Sequence, residues 1–124
     1  LLSPERRGGD TATRTALRAV PELAGIYALT RRGWQWTSLS RGAGALVGWF
    51  AWSGGPFVDW CVIRGYGEVE AVRVRDGDGL VWQRCGSVGV VAAELKDLPP
   101  PHAPGAPRLL TGRRWRPPGA LRLR

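Results

Sequence analysis

The sequence has few of the residues that build metal and catalytic sites. It contains one histidine and two cysteines in 124 residues, and it contains no methionine. The histidine, His102, lies in a proline-rich stretch without a nearby acid or nucleophile, so we interpret it as a linker residue. Two cysteines and one remote histidine are too few for a zinc site. We therefore expect no catalytic residue set, no metal site and no cofactor.

Long apolar runs are also missing. The continuous apolar run of residues 45–52 is much shorter than the roughly 20 residues that cross a bilayer, which argues against a membrane partner. The N-terminus has no apolar stretch followed by a small-residue cleavage site, so we expect a cytoplasmic protein or a component of a large intracellular assembly. Cys61 and Cys85 are compatible with one disulfide or two thiols, and the missing signal favours free thiols. Because the chain opens on Leu1 and Leu2 rather than on Met, we expect a fragment, a processed product or the ordered part of a longer protein.

Paired acids are scarce as well. Glu68 and Glu70 lie two apart on a predicted strand, which places their carboxylates roughly 7 Å apart on one face. We interpret them as a solvated strand face rather than as a catalytic pair. The segment 76–79, Asp-Gly-Asp-Gly, resembles the start of a calcium loop, but Ser87 stands where such a loop needs glutamate. A hairpin turn explains this segment fully.

Positive charge is concentrated at one end of the chain. Seventeen of the eighteen basic residues are arginine, and the formal net charge is +8. Residues 1–22 and 23–98 each carry +1, whereas residues 99–124 carry six arginines and no acid. An excess of arginine over lysine also follows from GC-rich codons, so its position is more informative than its amount.

The clearest local pattern is a β-hairpin within residues 68–95. Segment 76–79 supplies residues that tolerate positive φ, and both flanks are rich in β-branched and aromatic side chains. With Gly77 and Asp78 as the central loop residues, the predicted cross-strand pairs are Val74–Val81, Arg75–Leu80 and Arg73–Trp82. A register shifted by one sets Arg73 against Arg84, and like charges directly opposite are destabilising.

Other patterns predict strands at residues 23–30, 34–39, 45–52 and 57–64, a bend at 65–67 and a second hairpin arm that continues to residue 93. Residues 11–20 predict a short helix that ends at Pro21. The apolar phase slips in the first hairpin arm, which indicates either a bulge near Ala71 or a sheet covered on both faces. The fold class is therefore mainly β, a small antiparallel meander or a partly closed barrel with a short N-terminal helix and disordered or extended termini.

The predicted organisation has three parts: residues 1–22 form a lead-in with the short helix, 23–98 form the antiparallel β domain, and 99–124 form a Pro-rich linker and an Arg-rich tail. The predicted core consists of Ile26, Leu29, Val47, Trp49, Val58, Trp60, Val62, Val72, Val74, Val81, Val88 and Val90.

Two features predict nucleic-acid binding. The tail arginines, which have no acidic neighbours in sequence, can neutralise phosphates, and we expect them to be mobile and held off the domain by residues 99–107; they are Arg108, Arg113, Arg114, Arg116, Arg122 and Arg124. The second feature is a basic-aromatic group formed by Arg31, Arg32, Trp34, Trp36 and Arg41. Its two tryptophans share a strand face and could stack on unpaired bases.

These features predict a non-catalytic basic binding module that contacts RNA, DNA or a ribonucleoprotein through its tail. The alternative is a peripheral structural or protein-interaction subunit of a larger assembly. That subunit would use exposed tryptophan and the extended tail to contact an anionic partner protein. An enzyme of unrecognised type is the remaining class.

Overall fold

The computed structural model describes residues 24–39 and 44–120, so the predicted helix at 11–20 lies outside the described residues, as do Arg41, Arg122 and Arg124. Within them, helix α1 (Ala24–Arg31) precedes five strands, and helix α2 (Val88–Asp97) and a 3₁₀ turn (Pro118–Ala120) follow. The strands are β1 (Gln35–Leu39), β2 (Ala45–Ala51), β3 (Phe57–Gly65), β4 (Glu68–Arg75) and β5 (Gly79–Gly86).

The five strands of the described residues form one antiparallel sheet in the order β1-β2-β3-β4-β5. Each strand pairs with the next along the chain, as short connections favour. Over the described residues the sheet does not close, so β1 and β5 are its two edges. The prediction of a mainly β fold is confirmed, and of the two predicted forms the structure shows the antiparallel meander.

The sheet is packed on both faces. Helices α1 and α2 contribute to the first cluster, whose buried residues are Ile26, Leu29, Trp34, Cys61, Val69, Ala71, Val88, Val91, Ala92 and Leu95. The second cluster, on the opposite face, contains Val47, Trp60, Val62, Val72, Val74 and Leu80, with Trp115 packed against it. The slip of the apolar pattern near Ala71 is therefore explained by a sheet covered on both faces, and not by a bulge at that residue. The irregularities in strand pairing lie elsewhere, between Ile63 and Gly65 and between Arg73 and Val74.

The central hairpin has the predicted position but a different register near its loop. Arg73 pairs with Trp82 as predicted, whereas Val74 pairs with Leu80 and Arg75 with Gly79. The prediction of Val74 opposite Val81 is wrong because an extra residue enters β5 and forms a bulge. Asp76 and Gly77 both have positive φ, 57° and 96°, so the turn begins one residue earlier than predicted.

Two predicted strand segments are helices. Residues 24–31 form α1, in which Ile26 and Leu29, three apart, are buried. The second hairpin arm ends at Gly86, and α2 follows with Ser87 as its N-cap, whose side chain accepts a hydrogen bond from the Val90 amide. The buried residues of α2 are Val88, Val91, Ala92 and Leu95, which is helical spacing. A short apolar run is compatible with either a strand or a helix. In this segment the Ser87 N-cap favours the helix.

Nine of the twelve predicted core residues are buried: Ile26, Leu29, Val47, Trp60, Val62, Val72, Val74, Val81 and Val88. Trp49 and Val58 are half-buried and pack against the second cluster. Val90 is 55% exposed. Its assignment to the core is wrong because the segment is a helix, which turns this residue away from the sheet.

The tail prediction also needs correction. Residues 108–116 do not stand off the domain, because their backbone hydrogen-bonds to the β4–β5 hairpin and Trp115 packs against the sheet. The sequence offered exposed arginines but gave little sign of these backbone contacts.

Candidate nucleic-acid interface

The C-terminal strap, defined as residues 108–116, is fixed to the start of β5 by its backbone. The Leu80 amide donates to the Arg113 carbonyl at 2.9 Å, and the Thr111 amide donates to the Leu80 carbonyl at 2.9 Å. The Thr111 hydroxyl donates to the same carbonyl. The Trp115 amide donates to the Asp78 carbonyl at 2.8 Å. The strap therefore lies along the edge that β5 would otherwise present to solvent.

A glycine and a tryptophan allow this close approach. A Cβ atom at Gly79 would lie 2.5 Å from Leu110 Cδ2 and 2.9 Å from the Arg75 carbonyl oxygen, so a side chain there would displace the Leu110 side chain and strain the end of the hairpin to which the strap is bound. Gly79 forms an isolated antiparallel bridge with Arg114. The Trp115 ring then turns onto the second cluster, where its centroid lies 5.8 Å from that of Trp60.

The strap presents its arginine side chains to solvent. Arg108, Arg113 and Arg114 are exposed, and the side chain of Arg116 is 70% exposed. Arg116 lies 3.4 Å from a carboxylate oxygen of Asp78. Exposed ion pairs of this kind contribute little to stability, but the Asp78 carboxylate occupies the position beside Arg116 that an anionic ligand would take.

Arg75 supports the strap from β4 rather than extending its charged surface. Its Nη1 donates to the Arg108 carbonyl at 2.9 Å, and its Nε lies 3.5 Å from the Asp76 carboxylate.

Two leucines interrupt the basic series on the strap. Leu109 is 79% exposed and Leu110 is 49% exposed. Leu110 packs toward Gly79, whereas the larger exposed fraction of Leu109 places an apolar side chain between arginines. Such a side chain is what a protein partner would contact.

The other predicted group, Arg31, Arg32, Trp34 and Trp36, lies away from the strap. Arg31 and Arg32 are exposed at the end of α1, and Arg32 Nη1 donates to the Lys96 carbonyl at 3.0 Å. Arg32 thus ties α1 to the last turn of α2. The sequence does not indicate that these two helix ends lie next to each other.

The two tryptophans do pack on one face, but they do not form an open stacking platform. Trp34 is 8% exposed and belongs to the first cluster, stacked between Trp36 at 5.8 Å and Phe50 at 6.4 Å. Trp36 is half-buried over Gly48, where a Cβ atom would lie 2.5 Å from its ring. The expectation of exposed rings is wrong for Trp34 because the helix-covered face needs large apolar side chains. The strap lies with the second cluster, so the structure does not unite the two predicted groups.

Sequence analysis missed a buried ion pair on the helix-covered face. Asp59 and Arg73 are direct cross-strand partners on β3 and β4, 3% and 0% exposed. Arg73 donates to both carboxylate oxygens, Nε at 2.7 Å and Nη2 at 3.0 Å. Trp52 Nε1 donates to the same carboxylate at 3.0 Å, and its ring lies 5.5 Å from the guanidinium carbon. The β3–β4 register, which the sequence alone does not specify, is what brings this pair together.

The remaining candidates have structural roles. Glu70 is half-buried and accepts a hydrogen bond from Gln83 at 2.6 Å, whereas Glu68 is exposed. Cys61 and Cys85 are free thiols, the first buried and the second exposed, as predicted. Burial raises the pKa of the Cys61 thiol to about 12. Among residues 24–39 and 44–120, no group of histidine, cysteine and acidic side chains could hold a metal ion.

Within the same described ranges, every helix is too short or too polar to cross a membrane. Comparison with known proteins gives no match to a family model, to a curated protein or to a solved structure.

Proposed function

We propose that this protein is a non-catalytic binding module that contacts the phosphate backbone of nucleic acid through the C-terminal strap. The observation that carries the proposal is a set of exposed arginines on a backbone that the hairpin holds in place. The set comprises Arg108, Arg113 and Arg114, together with Arg116, which is paired with Asp78. Arg122 and Arg124 continue the basic series in sequence.

The physical basis is the release of counterions from nucleic acid. Each arginine that meets a phosphate displaces condensed cations, so affinity falls as salt rises, with a slope of about 0.7 to 0.9 per contact. A fixed strap lowers the ordering entropy that a mobile tail would lose on binding. Order in the strap therefore favours binding rather than opposing it.

The charge distribution of the molecule also favours the strap as the surface that binds an anionic ligand. Residues 23–98 carry eight basic and seven acidic residues, so the body is nearly neutral, whereas residues 99–124 have no acid. On the body, Arg84 is paired with Glu94 at 2.8 Å and Arg73 with Asp59 at 2.7 Å. An anionic ligand is thus attracted mainly to the strap.

A salt series with a matched pair of variants tests the proposal. Replacing Arg113 and Arg114 with Ala should flatten the salt slope of nucleic-acid binding by about 1.5 units, because two phosphate contacts are lost. The control replaces Arg64 and Lys96, two exposed basic residues elsewhere on the domain, and changes the net charge equally. It should leave the slope unchanged. Equal slopes in the two variants would contradict a phosphate role for the strap.

The second candidate is a subunit of a larger assembly that uses the strap to contact a protein. The exposure of Leu109 favours it, because an apolar side chain contributes nothing to phosphate binding. Replacing Leu109 with Ser should leave nucleic-acid affinity unchanged under the first proposal. An absence of salt-dependent nucleic-acid binding in the unaltered protein would favour the second.

A further inference from the structure

We infer that the strap recognises double-helical nucleic acid by its backbone, rather than single strands by base stacking. This inference rests on the proposed function and specifies its ligand. It follows from which side chains the strap exposes and from how its backbone is held.

The strap exposes no aromatic ring among its described side chains. Its exposed residues are Arg108, Leu109, Leu110, Thr111, Gly112, Arg113, Arg114 and Arg116. Its one aromatic residue, Trp115, is half-buried and turned onto Trp60. Proteins that bind single strands combine a basic groove with aromatic rings on which successive bases stack. The strap has the charge for that mode but lacks the rings.

Aromatic side chains on the rest of the described chain do not supply such a platform beside the strap. Trp34 is buried in the first cluster, on the opposite face of the sheet. Tyr66, which is 60% exposed, lies in the β3–β4 turn at the end of the sheet opposite the β4–β5 loop. On the strap's own face, Trp49 and Trp115 are half-buried and their rings pack against Trp60, so a base bound at the strap would find no exposed ring to stack on.

Electrostatics alone favours the duplex. Double-stranded DNA carries about one charge per 1.7 Å of axis, and each neutralised phosphate contributes about 0.9 to the salt slope, against about 0.7 for a single strand. A ligand bound through arginine alone therefore gains more from the duplex. The fixed backbone of the strap also suits a ligand whose phosphates are held at regular spacing.

Asp78 offers a test of whether the ligand lies beside Arg116. Its carbonyl holds the Trp115 amide at 2.8 Å, and its carboxylate lies 3.4 Å from Arg116. A phosphate that approaches Arg116 meets this negative charge and must displace it. Removal of the charge should therefore release a further arginine for phosphate contact.

The test compares a short mixed-sequence duplex with its separated strands, using the full chain across a salt series. The unaltered protein should bind the duplex more tightly than either strand at low salt, and this advantage should shrink as salt rises because the duplex has the steeper slope. Asp78→Asn should steepen the duplex slope by up to about 0.9, because Arg116 is freed. The control Glu68→Gln removes one exposed carboxylate at the far end of β4 and should leave the slope unchanged.

The outcomes separate this inference from the proposed function. Single strands that bind as tightly as the duplex, with a salt slope that Arg113→Ala and Arg114→Ala flatten, would overturn the duplex inference and leave the proposed function standing. No salt-dependent binding of either ligand would overturn both. An unchanged slope in Asp78→Asn, in a variant with the unaltered melting temperature, would overturn the placement of the duplex beside Arg116.

Discussion

Asp59 and Arg73 form an ion pair that is enclosed by the helix-covered face of the sheet. Asp59 follows Phe57 and Val58 and precedes Trp60, so its strand reads as mostly apolar and gives no sign of a charged partner. The pair becomes visible only when the register sets it side by side across β3 and β4. At the residue scale, composition predicts most of the apolar core, but a buried charge pair depends on register and therefore on the whole sheet.

Asp59→Asn should lower the free energy of unfolding by about 3 to 5 kcal/mol, because it leaves the Arg73 charge buried without a counterion. Urea denaturation of the variant and of the unaltered protein measures this difference. Asp97→Asn, at an exposed position, is the control and should change stability by no more than about 0.5 kcal/mol. A similarly small effect of Asp59→Asn would mean that the interior solvates Arg73 by other means.

The two cysteines should differ in reactivity, because one is buried and the other exposed. A thiol-specific reagent should modify Cys85 in the folded protein and reach Cys61 only after denaturation, since the thiolate is the reactive form and burial disfavours it. Mass spectrometry of the labelled protein gives the sites. Labelling of both thiols under native conditions would contradict the burial of Cys61.

Burial of Cys61 also makes stability depend on pH in the alkaline range. Its pKa is raised from 9.0 to about 12, so above pH 9 the unfolded chain releases a proton that the folded chain retains. The stabilisation is present in full below pH 9 and is lost as pH rises toward 12. Urea midpoints across this range should fall less steeply in Cys61→Ala than in the unaltered protein. Parallel curves would contradict the shift.

At the scale of elements, the strands were predictable and the helices were not. Strands β1 to β4 lie where turns and β-branched runs predict them, because side-chain alternation and glycine punctuation are local signals. Segments 24–31 and 88–97 carry short apolar runs that fit a strand equally well. Their helical state is stabilised by packing on each other, where Gly25 approaches Ala92 so closely that a Cβ atom would lie 2.8 Å from its side chain.

Ser87→Ala should reduce stability by about 1 kcal/mol, because the N-cap of α2 loses the side-chain oxygen that accepts from the Val90 amide. Thermal unfolding followed by circular dichroism measures the loss. Val90→Ala is the matched control on the same helix, and it should have little effect because its side chain is exposed. Equal losses in the two variants would argue against the cap.

At the scale of the whole molecule, Trp60 connects the sheet to the strap. It is 4% exposed, and its ring contacts those of Trp49 and Trp115, each with centroids 5.8 Å away. The sequence predicted its burial but not its contact with the tail, since no local pattern links residues that are so far apart along the chain. This is where the candidate site differs most from expectation. The sequence predicts which arginines form the site, but it does not predict that their backbone is hydrogen-bonded to the hairpin.

Trp60→Ala should cost about 3 to 5 kcal/mol, the range for emptying a large aromatic site in a core. It should also weaken nucleic-acid binding, because the strap loses its apolar anchor. Denaturation and binding measured on the same preparation test both effects. A loss below about 1 kcal/mol would place Trp60 at the surface.

The strap is the feature on which the functional account depends, and amide hydrogen exchange tests it most directly. In the free protein, the amides of Leu80, Thr111 and Trp115 should exchange slowly, because each donates to a carbonyl across the strap and hairpin. Gly79→Ala, whose Cβ atom would lie 2.5 Å from Leu110 and 2.9 Å from the Arg75 carbonyl oxygen, should speed exchange at Thr111, Trp115 and the loop end of the hairpin while leaving the β3 amides protected. Exchange of Thr111 and Trp115 in the unaltered protein at the rate of an unstructured chain would contradict the account, because the arginines would then belong to a mobile tail.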